Sequence, residues 1–125
     1  MPDCGVCIGG GDYDGMNEFE NVEHPKARKP HKCRECRRII QRGEVYERFT
    51  GKFDGDLFCV KTCLQCAEIR DAFNCDGGAI IDGLWSEMED YVFPQMTTGC
   101  LDRLATPEAK AYLLGQWRKW KGLAA

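Results

Sequence analysis

Two pairs of cysteines have the spacing of a metal site. Cys33 and Cys36 are separated by two residues, and after 26 further residues Cys63 and Cys66 repeat the same spacing. Zinc requires four soft or borderline donors in a tetrahedron, and a two-residue gap lets one tight turn, or the first turn of a helix, present both sulfurs to one ion. The spacing therefore predicts one four-cysteine zinc site.

A site with four thiolate ligands is structural, because it leaves no coordination position for water or a substrate. Its metal contributes folding free energy, on the order of 10 kcal/mol in zinc-finger peptides. The enzyme motifs HExxH, GxSxG and the P-loop do not occur in the sequence. Zinc deaminases also need a histidine followed two residues later by glutamate, and neither His24 nor His31 is followed in this way. We therefore predict that the protein is not an enzyme.

A third pair, Cys4 and Cys7, has the same spacing and would supply half of a second zinc site. Two of Cys59, Cys75, His24, His31 and Cys100 would have to complete it. Cys75 and His31 are the preferred pair, which would raise the expected number of zinc ions from one to two. The alternative is a pair of exposed thiols at a mobile end of the chain. Cys100 is expected to be a lone thiol, so Cys100→Ser should be nearly silent.

Composition favours one compact domain. The chain has 125 residues, of which 43% are hydrophobic and 30% charged, and a net charge of −3, values that argue against intrinsic disorder and against a polybasic arm. No stretch approaches the roughly 18–20 apolar residues of a membrane span, and the first residues lack the pattern of a signal peptide. We therefore expect a cytoplasmic protein without membrane contact, in which the nine cysteines are metal ligands or reactive thiols rather than disulfides.

A β-hairpin is predicted between the two ligand pairs. Residues 44–52 and 57–61 are rich in β-branched and aromatic side chains, and Asp54-Gly55 lies between them. Asp-Gly favours a two-residue turn because both central residues of that turn need positive φ. Cys59 is expected to pack within this hairpin.

A helix is predicted after the hairpin. Thr62 and Gln65 fit a capping box, so the helix should run from Cys63 to about Phe73. A cysteine knuckle, a hairpin, and then a helix with the second ligand pair in its first turn is the order of a treble-clef zinc finger.

Two further helices are predicted towards the C-terminus. Apolar residues recur at three- and four-residue spacings from Ile80 to Val92, and Pro94 ends the segment. A second helix begins at Thr106-Pro107, a cap residue followed by proline at the first helical position. These apolar stripes are expected to form the core.

The predicted fold class is therefore α+β, a treble-clef zinc finger extended by two C-terminal helices. We expect a single domain over residues 1–125. Within it, residues 1–30 form an acidic, loop-rich N-terminal segment, residues 31–74 the zinc finger, and residues 75–125 the helical extension.

Charge is distributed unevenly along the chain. Residues 1–25 contain six acidic residues and no Lys or Arg, whereas residues 26–42 contain eight basic residues and one acid. The candidate partner-binding residues form a basic patch around the first ligand pair, to which three tryptophans are added: Lys29, Lys32, Arg34, Arg37, Arg38, Arg42, Trp85, Trp117 and Trp120.

The cysteine pairs and their surroundings resemble a group of small zinc-finger proteins of bacteriophages and prophages. The resemblance lies in residues 31–48, 51–55 and 61–67, with Cys4, Cys7, residues 12–15 and Leu84-Trp85 in addition, and it covers roughly residues 1–92. It implies a phage or prophage origin, the bacterial cytoplasm, and a role in host takeover, regulation or counter-defence. It implies no particular activity.

Two functions follow from these observations. The first is a zinc-stabilised adaptor, regulator or inhibitor that binds a host protein through residues 12–23, the helix around Trp85, or Trp117 and Trp120. The alternative is a nucleic-acid-binding module whose basic patch contacts phosphates, although the negative net charge argues against general DNA affinity.

Overall fold

The computed structural model describes residues 4–8, 17–53, 55–75 and 83–124. Within them the chain has the predicted α+β fold, with small antiparallel sheets and helices. The strands are β1 (Asn17–Glu23), β2 (His31–Lys32), β3 (Ile39–Ile40), β4 (Tyr46–Phe53) and β5 (Asp56–Cys63). The α-helices are α1 (Leu64–Phe73), α2 (Leu84–Glu87) and α3 (Pro107–Ala124). Short π- or 3-10-helical segments span Met88–Val92, Phe93–Gln95 and Thr98–Arg103.

β4 and β5 form the predicted hairpin. Phe53 pairs with Asp56, so the loop is two residues long. Its second residue, Gly55, has φ +85°, a conformation that glycine adopts without steric cost. The first loop residue, Asp54, lies outside the described residues. β5 continues to Cys63, two positions further than predicted, and so carries a ligand at its end.

β1 is a strand inside the segment that the sequence predicts to be loop-rich. It pairs antiparallel with β4 and completes a sheet in the order β1, β4, β5. Glu23 lies opposite Arg48, and the two side chains form an ion pair of 3.1 Å. A cross-strand partner of opposite charge stabilises an acidic residue at this position of the strand. Residues 9–16 of the predicted acidic segment lie outside the described residues.

The start of α1 differs from the predicted capping box. Thr62 is buried in β5, and the residue that precedes the helix is Cys63, which makes no side-chain capping hydrogen bond. Gln65 instead accepts a hydrogen bond of 3.2 Å from Arg38. The capping-box prediction is wrong because Thr62 is still part of β5, whereas a capping residue lies directly before the helix.

The C-terminal region contains one of the two predicted helices intact. α3 begins at Pro107, and the Thr106 hydroxyl accepts a hydrogen bond of 3.2 Å from the Ala109 N–H, as expected of a cap. The other predicted helix, residues 80–92, is only four residues of α-helix followed by the π-helical segment. Its first three positions, 80–82, lie outside the described residues.

The core joins α1 to these C-terminal segments. Ile69 and Phe73 of α1 belong to one buried cluster with Leu84, Met88 and Leu113, all of them fully buried. No helix in the described part of the chain is long and apolar enough to cross a membrane.

Glu68 of α1 supports the start of α3. Its carboxylate accepts hydrogen bonds from the backbone N–H groups of Ala105 (2.6 Å) and Thr106 (3.0 Å) and from the Thr106 hydroxyl (2.7 Å). Burial alone would raise the pKa of Glu68, but the hydrogen bonds from Thr106 and Ala105 outweigh it, and the pKa is lowered.

We predict that Glu68→Gln lowers the free energy of unfolding by about 1 kcal/mol at neutral pH, because an amide oxygen accepts these bonds more weakly than a carboxylate. The folded-state pKa of Glu68 is lowered, so its contribution is complete above the ordinary carboxyl range and is lost as the pH falls through the folded-state value. Denaturant unfolding should show wild type and variant converging in acid. The control is Glu108→Gln, an exposed carboxylate in the first turn of α3, and an equal loss there would contradict the prediction.

Candidate metal centre

The two predicted ligand pairs come together in one cluster. The Sγ atoms of Cys33, Cys36, Cys63 and Cys66 all lie within 4.8 Å of one another, and those of Cys36 and Cys63 are 3.8 Å apart. A tetrahedron with metal–sulfur bonds of about 2.3 Å has sulfur–sulfur edges of about 3.8 Å. The cluster can therefore hold one metal ion with four sulfur ligands.

The first ligand pair sits in a closed loop between β2 and β3. The Cys33 N–H donates to the Arg38 carbonyl (2.8 Å), and the Arg37 N–H donates to the Cys33 carbonyl (3.0 Å). To close this loop, Arg37 adopts φ +65°, in the left-handed region that residues other than glycine rarely occupy. Arg37 is the residue directly after Cys36, and its left-handed conformation turns the chain back towards β3.

The second ligand pair lies where β5 becomes α1. The Cys63 N–H donates to the Cys33 sulfur (3.3 Å), and the Arg34 N–H donates to the Lys61 carbonyl (2.8 Å). These bonds hold the loop of the first pair against the hairpin. Cys33, Cys63 and Cys66 are fully buried, whereas Cys36 is partly exposed.

The four thiols do not ionise independently of one another. Hydrogen bonding with Cys33 lowers the pKa of Cys36, whereas interaction with the same sulfur raises the pKa of Cys63 and of Cys66. Each thiolate after the first must form beside negative charge in a buried site. A divalent cation removes this opposition, so metal binding is coupled to the release of protons.

Arg38 places a positive charge beside the cluster. Its guanidinium forms two hydrogen bonds with the Glu44 carboxylate, which raise the pKa of Arg38 and lower that of Glu44. Arg38 is a residue of the predicted partner-binding patch, but in the structure this side chain is held by Glu44 and Gln65. Its charge instead favours the thiolate form of Cys63.

Two contacts near the cluster are not evident from the sequence. Interaction with the Tyr112 side chain of α3 adds to the larger effect of Cys33 in lowering the pKa of Cys36, while burial and then this same interaction raise the pKa of Tyr112. The Glu35 carboxylate, between the first two ligands, accepts a hydrogen bond of 2.9 Å from the Leu84 N–H. No local pattern marks either residue, since their partners are distant in the chain.

The other cysteines proposed as ligands form disulfides. Cys4 is bonded to Cys100, and Cys7 to Cys75. The expectations that Cys100 is a lone thiol and that the protein forms no disulfides are therefore wrong. The physical reason is that α1 and the Thr98–Arg103 segment end beside the N-terminal residues, which brings together cysteines 96 and 68 positions apart.

His31 and Cys59 also differ from expectation. His31, predicted as the fourth ligand of a second site with Cys4, Cys7 and Cys75, lies on β2 with its ring 5.3 Å from that of Tyr46. Burial lowers the pKa of His31, and the nearby charges of Lys61 and Lys29 lower it further. Cys59 is exposed on β5 rather than packed inside the hairpin.

The three tryptophans predicted to contact a partner make internal contacts. Trp85 packs against Tyr112 with ring centroids 5.6 Å apart, and Trp120 packs against Phe93 at 5.7 Å. Trp117 carries the ammonium group of Lys121 over its ring at 4.3 Å. All three are partly buried, as expected of side chains at the margin of a core.

A groove beside the cluster collects positive charge. It has a volume of about 1180 Å³ and runs between the residues before β2 and the paired strands β4 and β5. We call it the cationic groove, and it is lined by six basic residues: Lys26, Arg28, Lys29, Arg42, Arg48 and Lys61. Of the predicted basic patch, only Lys29 and Arg42 line it. Lys32, on β2, and Arg34 and Arg37, on the loop between β2 and β3, do not line the groove.

Comparison of the chain with protein-family models, with curated proteins and with solved structures finds no match in any of the three. The resemblance to phage zinc-finger proteins, and the origin and compartment it implies, stay predictions.

We predict that Cys63→Ser abolishes metal binding at the cluster, because serine removes a buried thiolate from a four-ligand site whose metal contributes folding energy on the order of 10 kcal/mol. Native mass spectrometry of the non-reduced protein should show one zinc ion in wild type and none in the variant, which should also lose its thermal unfolding transition. Cys59→Ser is the matched control, since this exposed thiol lies outside the cluster. Loss of zinc from both variants would contradict the assignment.

We predict that Arg37→Gly keeps the zinc affinity of wild type within a few-fold, whereas Arg37→Val weakens it about tenfold. Glycine adopts φ +65° freely, but a β-branched residue there costs roughly 1–2 kcal/mol or more. Competition with a chelator measures the two affinities. Equal affinities for the two variants would show that the left-handed conformation is not required for metal binding.

Proposed function

We propose that this protein is a zinc-stabilised binding protein with no catalytic role for its metal, and that its cysteine cluster is a treble-clef zinc finger. Support for the fold comes from the order of the parts: the ligand loop between β2 and β3, the β4–β5 hairpin, and α1 with Cys66 in its first turn. Support for zinc comes from the donor set, because four thiolates at tetrahedral spacing suit Zn²⁺.

A structural role for the metal is supported by its surroundings. Four cysteines occupy every position of a tetrahedral ion, and three of them are fully buried. Substrate would reach neither an open coordination site nor a free thiolate. The binding surface is therefore sought outside the cluster, on the parts of the chain that the cluster holds in place.

We propose the phosphate backbone of a nucleic acid as the ligand of the cationic groove. The observation that carries this proposal is that the described residues lining the groove include six cations and no carboxylate. Five of the six, all except Arg48, form no ion pair with a carboxylate in the described part of the chain. Such a surface attracts a polyanion and releases its counterions on binding.

The protein-partner hypothesis has less support from the structure. Its aromatic anchors were Trp85, Trp117 and Trp120, and their ring contacts are internal. Residues 12–16 of the acidic segment 12–23 lie outside the described residues. The groove, in contrast, is open, and two of its cations, Arg48 and Lys61, lie on the paired strands β4 and β5.

The negative net charge of −3 does not oppose this function. Charges separated by more than about 10 Å are largely screened at 0.1 M salt, so a polyanion responds to the local surface. Affinity is expected to be modest, because a single groove of this size contacts few phosphates, and to fall with rising salt, because binding releases counterions.

We predict that fluorescently labelled single-stranded DNA and duplex DNA bind the full chain at about 50 mM salt, and that the double substitution Lys29→Ala with Arg42→Ala weakens binding at least tenfold. Each lost phosphate contact should also reduce the slope of log affinity against log salt by about 0.7–0.9. Fluorescence anisotropy over a salt series measures both quantities.

The matched control is Arg118→Ala with Lys119→Ala, two exposed cations on α3 away from the groove. This variant has the same net charge as the groove variant, so a general charge effect would weaken both equally. Equal weakening of DNA binding in the two double variants, or no binding by wild type at about 50 mM salt, would contradict the nucleic-acid proposal. Capture of a protein by the wild type, unaffected by the groove substitutions, would then favour the host-protein alternative.

A further inference from the structure

Four cysteines outside the metal cluster converge from three separate parts of the chain. Cys4 and Cys7 come from the N-terminal segment, Cys75 follows the end of α1, and Cys100 lies in the Thr98–Arg103 helical segment. The Cα atoms of the two bonded pairs are 4.9 Å and 5.8 Å apart. Cys4 and Cys7, which have the spacing of a zinc-ligand pair, are thus each bonded to a cysteine from another segment.

Contacts other than the disulfides hold this arrangement. The Ile8 N–H donates to the Phe73 carbonyl at 3.0 Å, and the Ile8 side chain is buried. The Arg103 guanidinium donates to the Val6 carbonyl at 2.6 Å and also to the Ala72 carbonyl. These bonds tie the N-terminal segment to α1 and do not depend on the disulfides.

Arg103 also supplies charge to the sulfurs. One terminal nitrogen of its guanidinium is 3.5 Å from the Cys4 sulfur, and the other is 3.8 Å from the Cys75 sulfur. A single side chain therefore touches both disulfides. A guanidinium carries a permanent positive charge and stabilises nearby thiolates, which a neutral disulfide does not require.

We propose that Cys4, Cys7, Cys75 and Cys100 form a second four-thiolate zinc site when their two disulfides are reduced. This site replaces His31 of the sequence-based hypothesis with Cys100. It is independent of the cationic groove and of the metal at the first cluster. A reducing cytosol keeps cysteines as thiols, so the zinc form belongs to that environment and the disulfide form to an oxidising one.

The conversion balances with a dithiol as reductant. Two dithiol molecules each transfer two electrons and two protons to one protein disulfide and become disulfides themselves. Zn²⁺ then binds the four resulting thiols and releases four protons. Each bonded sulfur pair separates by about 1.7 Å, from a disulfide bond to the edge of a zinc–sulfur tetrahedron.

Zinc stoichiometry of the full chain tests the proposal. The non-reduced protein should carry one zinc ion and weigh four hydrogens less than the reduced chain. After treatment with dithiothreitol, addition of Zn²⁺ and removal of the excess, native mass spectrometry should show two. X-ray absorption of the two-zinc protein should show only sulfur in the first shell of both ions. A reduced, folded protein with one zinc, or a nitrogen ligand in the first shell, would overturn the proposal.

Variants separate the second site from the first. Cys75→Ser removes an exposed ligand and should leave one zinc in the reduced protein, with affinity at the second site weakened at least 100-fold. Cys59→Ser and His31→Ala should each keep both ions. Retention of the second zinc by Cys75→Ser, or its loss from His31→Ala, would overturn the assignment of the four sulfurs. The absorption measurement on wild type decides the matter if Cys75→Ser fails to fold.

Discussion

The cysteine cluster joins parts of the chain that have little regular structure of their own. β2 and β3 are two residues each, and a ladder of that length is not stable in water without further support. The bonds from Cys63 to Cys33 and from Arg34 to Lys61 place this loop on the hairpin. The left-handed Arg37 and the four neighbouring thiols are both unfavourable alone. A cation held by the four sulfurs would offset both costs, which is why the proposed metal is the constraint on which the geometry of this region rests.

Charge in this protein is organised locally rather than by its total. Arg38 is held beside the thiolates by Glu44, Arg48 is paired with Glu23, and Arg70 is held by Glu47 through two bonds of 2.7 Å. Basic residues with such partners stabilise the fold. Five cations of the groove have no such partner among the residues that the structure describes. The proposed ligand binding rests on this difference, which is whether a carboxylate lies within reach.

The elements encoded by neighbouring residues could be predicted from the sequence. The spacing of Cys33 with Cys36 and of Cys63 with Cys66 identifies the cluster, and Asp54-Gly55 identifies the hairpin, because each signal depends on a few adjacent positions. β1 was missed because its acidic residues are stabilised by Arg48, 25 positions from Glu23. Tyr112 and Arg103 were missed for the same reason. Arg103 contacts residues 97 and 99 positions earlier in the chain, and no local pattern reports such a distance.

The long separation between Cys4 and Cys100 also affects how the protein is assembled during synthesis. These residues are 96 positions apart, and ribosomes add about 5–20 residues per second. The N-terminal thiols are therefore synthesised roughly 5–20 s before their last partner. The four cysteines of the cluster, from Cys33 to Cys66, are synthesised within that interval. Translation thus supplies every residue of the cluster before it supplies the cysteine that closes the N-terminal segment onto the rest of the chain.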